Sequence, residues 1–160
     1  MHNNHMRYIA RLLVLLPALL LAQVTDSRAG EIYKIDQLSD FSATTPERFY
    51  RFEPNYLWLK PGDSLRFLNS MGNHTVKTVS GIWPEGVEKV DIAHQQQYDV
   101  VLTKPGVYGF KCKVHSRHLM FALVIVGDVK PDLEQWKSAD LNGAAERAFK
   151  GLFERLEKDL

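Results

Sequence analysis

Residues 110–120 read Phe-Lys-Cys-Lys-Val-His-Ser-Arg-His-Leu-Met, so a thiol, an imidazole and a thioether follow one another as Cys112-x2-His115-x4-Met120. Cys112 is the only cysteine in the chain. Donors of these types on one short loop can curl around a single point. A fourth donor has to come from another segment. His74 is the candidate, because it follows Gly72-Asn73 and opens the run that begins at Thr75, as a residue at a loop–strand junction does. Thiolate and thioether favour Cu(I), while imidazole serves either oxidation state. A His2Cys plane with a weak axial Met is the ligand pattern of a blue electron-transfer copper site. Zinc fits less well, because its structural sites use Cys and His without Met. A c-type haem attachment needs Cys-x-x-Cys-His, which a single cysteine cannot supply.

Taken singly, each residue has a plainer role. A lone buried Cys is usually structural, a Met beside an apolar strand is usually core, and His74 or His115 alone reads as a polar surface residue. It is the set, gathered where two strands meet, that points to copper. His118 offers an alternative axial donor at Cys112-x2-His115-x2-His118, a stronger one that would favour Cu(II).

The elements around this loop read as short strands. Apolar runs recur at 31–35, 56–60, 64–69, 74–79, 98–102, 107–111 and 120–126, several with alternating polarity. Pro61-Gly62-Asp63 and Lys104-Pro105-Gly106 punctuate them as turns. Period-two patterning at this spacing predicts an antiparallel β-sandwich or barrel. The Cys-His-Met segment joins the 107–111 and 120–126 strands, which places it at one end of the sandwich. After Gly127-Asp128 the pattern changes to helix. Pro131 sits at a plausible first turn of residues 131–139. From Asn142 onward Ala145, Phe149, Leu152, Phe153, Leu156 and Leu160 keep a 3–4 residue spacing opposite charged positions.

The 160 residues carry 20 Lys+Arg against 19 Asp+Glu and 45% apolar side chains, enough for one domain with a real core. A near-zero net charge argues against a nucleic-acid binder. The first thirty residues form an address: Arg7 and Arg11, then an apolar run from Leu12 to Ala22, then Ser27-Arg28-Ala29 before Gly30. That is the layout of a secretory signal peptide. The apolar run is shorter than the roughly 20 residues a bilayer span takes. Removing residues 1–29 takes away three Arg and one Asp, so the mature chain has 17 basic and 18 acidic residues. It also leaves a lone thiol in an oxidising compartment, where being held by a metal gives it a reason to persist. The expected organisation is a signal peptide at 1–29, a β-sandwich at 30–128 and a helical extension packed on it at 129–160.

With these motifs assembled, the sequence resembles the small blue copper proteins (cupredoxins), and among them the pseudoazurins most. The likeness covers roughly residues 50–160. It rests on Phe52, Pro54, Leu57, Leu59, Pro61, Gly62 and Asp63 as F-x-P-x-x-L-x-L-x-P-G-D, on Asn73-His74-Thr75-Val76, on Pro105 to His115, on Met120, and on Val126-Gly127-Asp128 before two helices. The resemblance implies an all-β Greek-key sandwich with two C-terminal helices and one copper ion. His74, Cys112 and His115 would be its equatorial ligands and Met120 its axial one. It implies a monomeric periplasmic carrier of single electrons, not an enzyme, without nucleic-acid binding or stable membrane insertion. The exposed edge of His115, inside an apolar patch ringed by lysines, would be the exit. Partners would be periplasmic redox proteins such as a copper nitrite reductase or a c-type cytochrome. The chain departs from the family pattern in three places. One is Ser116-Arg117-His118-Leu119, where the family has mostly Gly and Met and where Arg117 and His118 would make the docking face more polar. Thr75 stands where Asn commonly ties the two ligand loops together. Val114 replaces a Pro, which restores a backbone N–H within reach of the cysteine sulfur. A periplasmic copper storage or delivery protein is the alternative; it is disfavoured because Met- or His-rich exposed segments are absent. An enzyme would need an open coordination position.

Overall fold

The run Phe121–Val126 sets the layering of the molecule. Every side chain in it is buried, which a strand achieves only when both of its faces are covered. Ala122, Val124 and Val126 join the core inside the sandwich. Phe121, Leu123 and Ile125 face the other way, into a second cluster with Phe149, Phe153 and Leu156 of the C-terminal helix. The computed structural model describes residues 30–69, 73–93, 95–130, 133–141 and 143–160, so the expected signal peptide at 1–29 lies outside the described residues.

Among the described residues the strands are β1 (Ile32–Ser39), β2 (Tyr50–Glu53), β3 (Tyr56–Leu59), β4 (Asp63–Leu68), β5 (Thr75–Thr78), β6 (Asp91–Ala93), β7 (Gln97–Leu102), β8 (Gly106–Lys111) and β9 (Phe121–Val126). The helices are α1 (Pro46–Phe49), α2 (Leu133–Lys137) and α3 (Gly143–Asp159), and a 3₁₀ turn spans Ser116–His118. One sheet runs β2-β1-β4-β7 and the other β3-β9-β8-β5-β6. The expected all-β sandwich with two C-terminal helices is present.

It differs from the sequence reading in two respects. β1 pairs with β4 and β3 with β9 in parallel, where an antiparallel sandwich was expected. Alternation of polarity tells which face a residue takes and says nothing about strand direction, which depends on where the chain crosses between sheets. The short strands β2 and β6 and the helix α1 were not read at all. β6 has one buried residue, Ile92, and β2 likewise one, Phe52, too few to make a periodic signal.

Two details position the metal-ligating end. Tyr108, Phe110 and Cys112 all belong to the inner core, so the two-residue period of β8 carries the thiol onto the inward face as the strand runs out. Behind β8, Gly109 lets the helix layer close in. A Cβ there would lie 2.9 Å from Ile82 Cβ and 3.0 Å from Phe149 Cζ. Packing on both sides leaves β8 and β9 little freedom, and the loop between them inherits fixed ends. No helix among the described residues is long and apolar enough to cross a membrane.

Candidate metal centre

The loop from Cys112 to Met120 closes on itself through backbone hydrogen bonds. The Cys112 N–H donates to the Met120 carbonyl at 3.0 Å, and the His118 N–H donates to the His115 carbonyl at 3.0 Å. Leu119 takes a left-handed φ of 59°, which turns the chain so that Met120 returns beside Cys112. Across the sheet, Asn73 also has a left-handed φ, 57°, a conformation that Asn tolerates better than most residues. It aims His74 inward at the head of β5, on the same side as Val76 of the core.

These turns bring three donor atoms together. His74 Nδ1 lies 3.2 Å from His115 Nδ1, Cys112 Sγ lies 3.5 Å from His115 Nδ1, and Sγ lies 3.9 Å from His74 Nδ1. A circle through three points with these separations has a radius of about 2.1 Å, inside the ordinary range of metal–imidazole and metal–thiolate bonds, about 2.0–2.3 Å. The centre is buried: Cys112 is fully enclosed and His74 is 1% exposed. Met120 is also fully buried, at the loop end that receives the Cys112 N–H. His118 does not belong to the donor cluster of His74, Cys112 and His115.

The imidazoles are held ready. His74 Nε2 lies 3.1 Å from Ser39 Oγ, which fixes the ring with Nδ1 facing the centre; in the Nε2-protonated tautomer the hydroxyl accepts that proton and the Nδ1 lone pair is free for a metal. Burial pushes the His74 pKa down to about 4, with the adjacent His115 adding to the effect. Burial also lowers His115, helped by His118. Both rings are therefore neutral at pH 7, the state in which imidazole donates to a metal. Two hydrogen bonds reach the cysteine sulfur. The Thr75 N–H donates to Sγ at 3.4 Å, and the Thr75 hydroxyl lies 3.7 Å away. That hydroxyl also accepts the Lys113 N–H at 2.8 Å. Thr75 thus ties the two ligand loops together, the work expected of an Asn there. Among the described residues, these bonds to sulfur come from Thr75 and not from the Val114 N–H.

Two residues at this end were missed from sequence. Tyr50 stacks face to face on His115, with ring centroids 3.7 Å apart and planes 6° apart. Ser39 holds His74. The usable signal was alternation: Ser39 follows Ile35 and Gln37 on the inward face of β1, and Tyr50 precedes buried Phe52 by two.

Residues 40–127 match the family described as copper binding proteins, plastocyanin/azurin family. The chain belongs to that family. Pseudoazurin of Methylorubrum extorquens is 40% identical over 106 residues, 66% of this chain and 72% of the relative. Pseudoazurin of Paracoccus pantotrophus is 37% identical over 90 residues, 56% of this chain and 62% of the relative. The crystal structure of pseudoazurin from Methylobacterium extorquens AM1 superposes with a TM-score of 0.68 at 35% identity, over 79% of this chain and 99% of that one. A pseudoazurin from Sinorhizobium meliloti gives the same TM-score at 28% identity, over 79% of this chain and 97% of that one. Copper is the cofactor of this cupredoxin chain. Two imidazoles, a thiolate and a thioether are the donors that suit it.

Proposed function

We propose that this cupredoxin carries single electrons, with His74, Cys112 and His115 as the equatorial ligands of one copper ion and Met120 as the axial one. The observation that carries the reading is the triangle of donor atoms, whose size accepts one metal ion with no rearrangement of the three side chains. Copper held there supplies reversible Cu(I)/Cu(II) chemistry. The protein's share is to keep the donors in place in both states. Ser39 orients His74, Tyr50 packs on His115, and Thr75 ties the two loops. A closed four-donor site leaves no open coordination position for a substrate, which favours electron carriage over catalysis.

The signal-peptide layout of residues 1–29 supports a periplasmic location for the mature, monomeric protein. In that compartment its partners would be redox proteins such as a copper nitrite reductase or a c-type cytochrome. The test is to load purified protein with Cu(II) and record its spectrum and voltammogram. An intense blue thiolate-to-copper band with a reversible one-electron wave is expected, and Cys112→Ala should lose the band. A colourless Cu(I) protein without reversible oxidation would replace this reading with storage or delivery.

A further inference from the structure

The family likeness implies that an exposed edge of His115 passes the electron. In this chain His115 is only 9% exposed, and Tyr50 covers the face of its ring. Tyr50 in turn meets Phe41 edge to face, with centroids 5.9 Å apart and planes at 88°. Phe41 is 74% exposed, more than any other large apolar side chain among the described residues, and Val114 within the ligand loop is 47% exposed. The π-surface next to the metal centre is thus extended outward by two further rings.

Phe41 is not on a loose excursion. Residues 40–49 form a strap between β1 and β2, closed at its base by the Asp40 N–H donating to the Phe49 carbonyl at 2.7 Å. Arg51 Nη1 braces the strap through Asp40 Oδ2 at 3.3 Å and the Arg48 carbonyl at 2.9 Å. The Ser42 hydroxyl donates to Asp40 Oδ1 at 2.6 Å. The helix α1 within the strap packs against the Ser116–His118 turn, and His118 sits edge-on to Tyr50 at 5.0 Å. Beyond its edge-to-face contact with Tyr50, the Phe41 ring is left facing water, and contiguous exposed apolar surface marks contact sites. Arg48 of the strap, and Lys113 and Arg117 of the Cys112–Met120 loop, are exposed. None of the three forms an ion pair with a described side chain.

We propose that Phe41 and Tyr50, presented by the 40–49 strap, form the surface on which this chain exchanges electrons, and that its partner is a redox protein whose apolar cofactor edge is ringed by carboxylates. The aromatic centre fits the cofactor edge, and the three exposed cations select the acidic rim. The proposal rests on the carrier reading above. One electron leaves the Cu(I) protein and reduces the partner's ferric haem to ferrous, giving the Cu(II) protein, and no proton moves.

An acidic c-type cytochrome is the probe. With both proteins reduced, so that no electron passes, adding the cytochrome to the isotope-labelled Cu(I) protein should shift the amide and ring resonances of Phe41, Ser42 and Tyr50. In stopped flow against the ferric cytochrome, Phe41→Ala should slow electron transfer about tenfold, the scale of losing one central aromatic contact. Its absorption band and potential should stay as in the unaltered protein, and Phe41→Tyr should keep the rate. Rates should fall as salt is raised. Resonance shifts confined to residues 113–118, or a rate in Phe41→Ala equal to or above the original, would overturn the strap as the docking surface. If the unaltered protein showed no reversible one-electron wave, the carrier reading itself would fall.

Discussion

Replacing Thr75 by valine keeps the shape of a side chain that is 5% exposed and deletes one hydroxyl. Two consequences follow, on different observables. The Lys113 N–H loses its acceptor at 2.8 Å, and losing one part-buried hydrogen bond costs about 0.5–1.5 kcal/mol. At roughly 4 °C per kcal/mol for a domain of this size, the Tm of the metal-free protein should fall by about 2–6 °C. The second consequence is electronic. The sulfur loses the hydroxyl contact at 3.7 Å and keeps the backbone N–H at 3.4 Å. Hydrogen bonds drain charge from a thiolate and make it a poorer donor to Cu(II) than to Cu(I), so deleting one favours Cu(II). A long sulfur contact worth about 0.5–1 kcal/mol converts, at 59 mV per tenfold, to a midpoint potential lowered by about 20–40 mV. Calorimetry of the metal-free protein and voltammetry of the copper-loaded protein measure the two effects separately, and Thr75→Ser should restore most of both. A lowered Tm with an unchanged potential would show that the hydroxyl serves only Lys113. No change in either would refute the bridging role altogether.

Three further outcomes are expected. In metal-free protein, urea unfolding should show stability lost as pH falls from 6.5 toward 4. His74 binds its proton near pH 4 when folded and near pH 6.5 when unfolded, so the unfolded chain takes up more protons in that window. The His74 share at pH 5 is about 2 kcal/mol below that at pH 7.5, and a pH-independent stability would contradict the assigned burial of the ring. Gly109→Ala should cost about 1–3 kcal/mol in denaturant titrations, because the new methyl meets Ile82 at 2.9 Å and Phe149 at 3.0 Å; a neutral effect would mean α3 is free to back away. Met120→Leu should leave copper bound and raise the midpoint potential by removing a weak axial donor, and an unshifted potential would point to another axial group.

How much of this was legible beforehand differs from residue to residue. Cys112, His115 and Met120 were readable because they share one loop, and donor chemistry restricts what such a loop can hold. His74 was readable from its place at a loop–strand junction. Its distance from the thiol depends on the pairing of β5 with β8, which local pattern does not encode. The all-buried β9 was visible as an apolar run, and the amphipathic α3 as a 3–4 residue spacing. Neither pattern said that the two would cover each other.

Tyr50, Phe41 and Ser39 carry no signature of their own, since tyrosine, phenylalanine and serine occur in any surface strand or strap. Their roles exist only through contacts between segments far apart in the chain. Residue type and spacing therefore determined which atoms can bind a metal and which metal they suit, because valence and donor softness belong to each side chain alone. Tertiary structure decided how far apart those atoms stand, which nitrogen of His74 faces the centre and which rings surround His115. Those quantities follow from the packing of two sheets and a strap against one another, and no local stretch of sequence contains it.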